Sequence, residues 1–233
     1  MSSHPPPGQS AVLRFLAGTA DDYDRLVAEA TGGWDHRWKR WMLDRMRAPR
    51  RVLDLASGTG ILSFQVLERF PDAHVTGIDM QDAYLAIART RATAQGLGQR
   101  LRLLHGTVED ADVSGSFDHV VSCYLAKYAD RDRLAARLAT WCAPGARVLL
   151  HDFAHPTDAG VERALRALYD RWMARVRTRP QWTACFEGLY DYVRESPWVD
   201  DLPVALRDAG FHSVTTTRLG YGCAAVVEAR WPG

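Results

Sequence analysis

From residue 51 onward, short apolar runs alternate with amphipathic stretches, and most runs end where glycine or polar residues cluster. Apolar, β-branched runs of this length are those of buried strands, whereas apolar positions recurring every three and four residues mark one face of a helix. The pattern predicts strands at Arg51–Leu55, His74–Asp79, Leu101–His105, Phe117–Ser122 and Arg147–Phe153. Helices are predicted between them over 60–70, 81–95 and 130–142, the last closed by Ala143-Pro-Gly145, a stop and a turn. Such alternation specifies an α/β fold, a doubly wound, Rossmann-like and mostly parallel sheet.

After His155-Pro156 the alternation pauses for a long helical segment over 158–177 and an aromatic-rich stretch over 181–198, which read as a lid. A helix over 201–209 follows, then two β-rich runs, Ser213–Arg218 and Cys223–Ala229, about the turn Gly220-Tyr-Gly222. These runs predict a closing antiparallel hairpin. The organisation expected is a disordered tail over 1–10, a helical cap over 11–50, the core over 51–155, the lid over 156–200 and the last part of the core sheet over 201–233.

The first strand runs into Ala56-Ser-Gly-Thr-Gly60 and then into the helical run Ile61–Phe70. Glycines at 58 and 60 let the chain turn tightly and let a ligand approach main-chain N–H groups unobstructed. A turn of this kind is common in itself. Here the second strand also ends in an acid, Asp79, where a carboxylate accepts hydrogen bonds from both hydroxyls of a ribose. The third glycine of a dinucleotide fingerprint would fall at Ser63, and Asp54 precedes the turn instead of following it. A carboxylate there sits poorly beside a pyrophosphate but suits the ammonium of a methionine moiety. S-adenosylmethionine (SAM) is therefore the expected cofactor. Its predicted contacts are Asp54, Ala56, Ser57, Gly58 and Gly60 at the turn, Asp79 and Met80 after the second strand, Thr107, Val108 and Glu109 after the third, and Cys123 after the fourth.

Composition narrows the partner. With 29 basic and 28 acidic residues the formal charge is +1, so no global field gathers nucleic acid or an anionic membrane. No stretch approaches the roughly 20 apolar residues of a membrane span. The four cysteines lie far apart, without metal-ligand spacing, and read as reduced thiols in a cytoplasmic protein. No metal is expected. The partner expected is a hydrophobic small-molecule acceptor, with no nucleic acid, no stable membrane insertion and a homodimer left open. Only Lys39 and Lys127 are lysines among the basic residues, which draws attention to both.

Several groups taken together resemble the class I SAM-dependent methyltransferases and, within them, the ubiquinone/menaquinone biosynthesis C-methyltransferase family. These are the glycine turn, Tyr23-Asp24, His36-Arg-Trp-Lys-Arg40, Phe117-Asp118, Ala143-Pro-Gly145, Asp208-Ala-Gly-Phe211 and the terminal hairpin. The resemblance runs from about Asp22 to the C-terminus. It implies that Tyr23 helps hold the SAM carboxylate and that helices over 15–45 cover the cofactor. It also marks departures. An Asp or Asn is common where Thr107 stands. The family's Arg-Asn pair after the fourth strand, expected to orient a quinol, is replaced within Cys123-Tyr-Leu-Ala-Lys-Tyr128, and its Glu-Phe after the fifth by His151-Asp-Phe153.

Methyl transfer from a sulfonium is an in-line displacement that needs alignment and exclusion of water more than covalent help. An acceptor with an ionisable O–H or N–H also needs a base, for which His151 is the candidate, with Asp152 orienting it or binding substrate. Trp34, Tyr124, Lys127, Tyr128, Trp182 and Tyr190 are the candidate acceptor contacts. Trp34, Trp38 and Trp41 share a helix face, a stripe that favours packing, with Trp34 nearest the entrance. The function expected is small-molecule or natural-product methylation of an aromatic or quinol-like acceptor, at carbon in preference to oxygen or nitrogen. A SAM-retaining cyclase and a SAM-binding module without catalysis remain open at this point.

Overall fold

In a computed structural model of the protein, residues 11, 12, 15, 16 and 18–233 are described; the expected tail over 1–10 lies outside them. Seven strands form one sheet: β1 (Arg51–Leu55), β2 (His74–Asp79), β3 (Leu101–His105), β4 (Phe117–Cys123), β5 (Cys142–Phe153), β6 (His212–Leu219) and β7 (Ala224–Arg230). Their order is β3-β2-β1-β4-β5-β7-β6, parallel except that β7 runs against both its neighbours. The helices are α1 (Tyr23–Ala30), α2 (Trp34–Leu43), α3 (Ile61–Arg69), α4 (Asp82–Ala94), α5 (Arg131–Trp141), α6 (Ala159–Val176), α7 (Pro180–Phe186), α8 (Leu189–Glu195) and α9 (Trp198–Asp208).

Parallel strands covered on both faces bury every side chain. Adjacent residues of β4 accordingly enter opposite layers. Val120 packs with α5 and α9 through Leu134, Leu138, Leu202 and Leu206, while Val121 packs with α2 and α3 through Met42, Leu62 and Val66. The carboxyl ends of the central strands come out abreast, because Leu55 pairs with both Ile78 and Ser122, and Cys123 with His151. Loops from four strands therefore meet along one edge.

Two boundaries differ from the sequence pattern. The stop at Ala143-Pro-Gly145 does end α5, but the chain then stays extended, and Cys142 pairs with Phe117 before the register shifts at His119. The last helix begins at Trp198, three residues before the predicted start, since the Trp198 ring is buried and its indole N–H bonds the Phe153 carbonyl at 2.7 Å. Long-range packing decides both points, which local pattern cannot report.

The segment over 156–200 adds a satellite cluster to the core. Residues of α1, α6 and α7 share a satellite cluster of Leu26, Val27, Val176, Trp182, Cys185 and Phe186. Asp158 caps α6 by accepting from the Gly160 and Val161 N–H groups. Of the 18 residues of α6, only Val176 is buried.

Candidate active site

The β1–α3 turn depends on left-handed backbone at Ala56, Gly58 and Gly60, with φ of 55°, 56° and 84°. A Cβ on Gly58 would meet nothing within 4 Å, so the space above it is open to a ligand, whereas one on Gly60 would strike the Phe64 ring at 2.7 Å. Gly58 thus faces a cavity and Gly60 serves the packing of α3. Asp79 ties the turn to β2: one carboxylate oxygen accepts the Gly58 N–H and the other the Gln81 N–H, both at 2.8 Å. Each oxygen keeps a further lone pair for a hydroxyl.

A cavity lies over this turn, walled by Ala56, Gly58, Asp79, Met80, Thr107, Val108, Glu109 and Cys123, together with Tyr23, Tyr124 and Tyr128. Nine of the twelve predicted cofactor residues meet here. A carboxylate with spare acceptor capacity, an open glycine cradle and apolar walls from Met80 and Val108 fit the ribose, chain and adenine of SAM. Sequence reasoning missed Leu16, Gln81, Tyr84, Leu125 and Ala129 in the same wall. Their side chains carry no motif; Tyr84 arrives through α4, its hydroxyl bonded to Thr19 at 2.5 Å.

Three of the predicted contacts lie elsewhere. Asp54 is buried beneath the turn, not in its cavity wall, and accepts the Ser63 hydroxyl at 2.6 Å. Burial raises its carboxyl to about 7. The residue at the missing third glycine is thus the partner that keeps Asp54 inward. Ser57 is also buried, with its hydroxyl close to Gly77, and Gly60 caps α3.

Beyond Tyr23, Tyr124 and Tyr128 lies a small inner pocket, which adds Phe15, Lys127, Phe153, Cys185, Phe186 and Leu189. Phe153, Phe186 and Leu189 in turn wall a larger apolar cavity of about 490 Å³, completed by α6, Trp34, Trp38 and the Gly220–Tyr221 turn. The three spaces form a row with shared walls, and Trp34 and Tyr190 both belong to the last. Exposed Trp34, Leu168 and Tyr221 stand at its rim. Trp182 does not line it: that ring is fully buried between α1 and α6, so its predicted substrate contact is corrected to a packing role.

The two lysines converge on Tyr124. This residue follows β4 in a left-handed conformation (φ 68°), stacks on Phe153 at 4.7 Å and donates its hydroxyl to Asp35 at 2.7 Å. Lys39 is paired with the same Asp35 and lies 5.0 Å from the Tyr124 ring centre. Lys127 lies 4.1 Å from the Tyr128 ring centre and bonds Asp152 at 2.7 Å, both partners being buried. Burial lowers the Lys127 ammonium and raises the Asp152 carboxyl, each opposed by the other's charge.

This corrects the candidate base. Asp152 serves Lys127, not His151. His151 is fully buried between Trp38 and Tyr124, neither ring nitrogen has a partner among the described residues, and it walls none of the three spaces. Burial and then the two lysines hold its pKa well below the ordinary value, so it is a neutral core ring.

A methyltransferase-domain family model matches residues 52–145. The demethylmenaquinone methyltransferase of Thermus thermophilus is 33% identical over 214 residues, covering 89% of this chain and 95% of that protein. The chain belongs to the ubiquinone/menaquinone C-methyltransferase family. It is a SAM-dependent methyltransferase. A ubiquinone/menaquinone biosynthesis C-methyltransferase of Dinoroseobacter shibae is 29% identical, with 92% of this chain and 88% of that one covered. Among solved structures, a putative SAM-dependent methyltransferase of Methanococcus maripaludis aligns with a TM-score of 0.66 at 15% identity, over 100% of this chain and 98% of the other. The Haemonchus contortus phosphoethanolamine N-methyltransferase 2, solved with S-adenosylhomocysteine, gives 0.67 at 15% identity, over 98% and 61%. Both of these are likenesses of fold.

Proposed function

We propose that this methyltransferase modifies a hydrophobic aromatic acceptor with an ionisable ring oxygen, at ring carbon in preference to oxygen. The observation that carries this reading is the row of three spaces, cofactor cavity, inner pocket and apolar cavity, with Lys127 beside the middle one. The names of the relatives, a demethylmenaquinone methyltransferase and a ubiquinone/menaquinone biosynthesis C-methyltransferase, support the same chemistry. Bound SAM supplies an electrophilic methyl group on a sulfonium.

The chain's own residues do the rest. Asp79 and the Gly58 cradle hold the nucleoside, and Tyr23 and Tyr124 stand between it and the inner pocket. Apolar walls exclude water and align the acceptor ring, which is where most of the acceleration for such a displacement arises. The Lys127 ammonium, held by Asp152, faces the acceptor's ring oxygen and favours its ionised form, in which the ring carbon is more nucleophilic. Four unpaired thiols fit action in the cytoplasm.

Methyl-labelled SAM, incubated with the enzyme and a panel of phenols and quinols bearing apolar substituents, tests the proposal. Label is expected on acceptor carbon, with stoichiometric S-adenosylhomocysteine. SAM that binds but is never consumed with any member, or label that goes only to oxygen, overturns it.

A further inference from the structure

Tyr124 walls both the cofactor cavity and the inner pocket. Its left-handed backbone is an outlier for a bulky residue, of a kind that persists only where the surroundings over-determine it. Two elements do so here. From β5, the His151 carbonyl accepts the Tyr124 N–H at 2.9 Å and the Phe153 ring stacks on the Tyr124 ring. From the first turn of α2, Asp35 accepts the Tyr124 hydroxyl at 2.7 Å. Burial, and then the Asp35 charge, hold that hydroxyl well above its ordinary pKa, so it stays a donor.

Stacking lets a ring slide in its own plane, whereas a hydrogen bond at the far end of the ring fixes where that end lies. Asp35 is itself held. It is 7% exposed and is paired with Lys39, one turn further along α2 and 3% exposed. A buried pair of this kind adds little net stability, so its consequence lies in what it orients. Asp35 and Lys39 wall none of the three spaces, and any effect they have on the reaction passes through Tyr124. Resting on the functional reading above, we infer that Asp35 is a positioning residue for methyl transfer. Held by Lys39, its carboxylate fixes the Tyr124 ring between cofactor and acceptor, so that the acceptor atom comes up in line with the sulfonium methyl group. Misplacement by about 1 Å at such a step costs up to about a hundredfold in rate.

Two double variants separate position from packing. Asp35→Asn with Lys39→Met removes both charges and keeps a side-chain oxygen for the Tyr124 hydroxyl, whereas Asp35→Leu with Lys39→Met removes that oxygen as well. With methyl-labelled SAM and a phenol or quinol that wild type methylates, kcat is expected to be about tenfold lower in the second than in the first. Their dissociation constants for SAM should agree within about threefold, which also reports that both are folded. Tyr124→Phe keeps the ring and leaves α2 untouched; it should lose kcat by about tenfold, and adding it to the Leu variant should cost nothing further. Equal kcat in the two double variants, or losses that multiply when combined, overturns the inference and leaves the functional reading in place. If neither double variant folds, Tyr124→Phe decides alone, and wild-type kcat in it overturns the inference. Absence of transfer from wild type to any phenol or quinol overturns both.

Discussion

Asp79 and Asp54 are two buried carboxylates at neighbouring strand ends with opposite surroundings. Asp79 is held by two main-chain N–H groups and faces the cofactor cavity, so Asp79→Ala should abolish the rise in melting temperature that SAM produces in wild type. Asp54 has the Ser63 hydroxyl and no cavity, and burial lifts its carboxyl from 3.8 to about 7. Between those values the folded protein keeps a proton that the unfolded chain has lost. Stability from this group is thus fully present below the lower value and falls as pH rises to the upper one. In the cofactor-free protein, Asp54→Asn should flatten that fall, by at most about 4 kcal/mol, seen as a gain in urea midpoint at pH 8 and little change at pH 4. His151 makes the complementary point. A strand-end position suggested a base, but burial without a partner makes it a neutral packing group.

Between elements, the buried Lys127–Asp152 pair joins the segment after β4 to the end of β5. Removing one partner of such a pair strands the other charge, whereas replacing both with apolar groups is often neutral or better. Lys127→Met should therefore cost about 3–5 kcal/mol in chemical denaturation, and Lys127→Met with Asp152→Leu should recover most of it. Turnover separates stability from function: the double variant is expected to bind SAM as wild type does and to remain impaired on a phenolic acceptor. Recovery of both would assign the pair to structure alone. The strands that carry these residues were legible from their apolar runs. The pairing was not, because it depends on two residues 25 positions apart arriving on adjacent strand ends.

At the scale of the molecule, α6 spans the large apolar cavity while burying one residue of 18. Val161, Ala164, Leu165, Leu168 and Trp172 face that space, so the helix has little of the packing that slows local opening. Its amides should exchange hydrogen faster than those of β1 and β4, and an occupant of the cavity should slow α6 selectively. Equal protection of α6 and the sheet without ligand would contradict this. Among the described residues, no helix is long and apolar enough to cross a membrane.

The sequence by itself determined the doubly wound sheet, the glycine turn with Asp79, and hence the cofactor, because these depend on residues close along the chain or on a fixed alternation of strand and helix. It also put Tyr190 in an aromatic-rich segment and Trp34 on a helix stripe nearest the expected entrance. Only the tertiary structure decided which acids face the cavity and which are buried, that Trp182 is core, and that Asp152 serves Lys127 instead of His151. Those outcomes follow from how much water each group loses and which distant partner it then meets, and neither is written in local pattern.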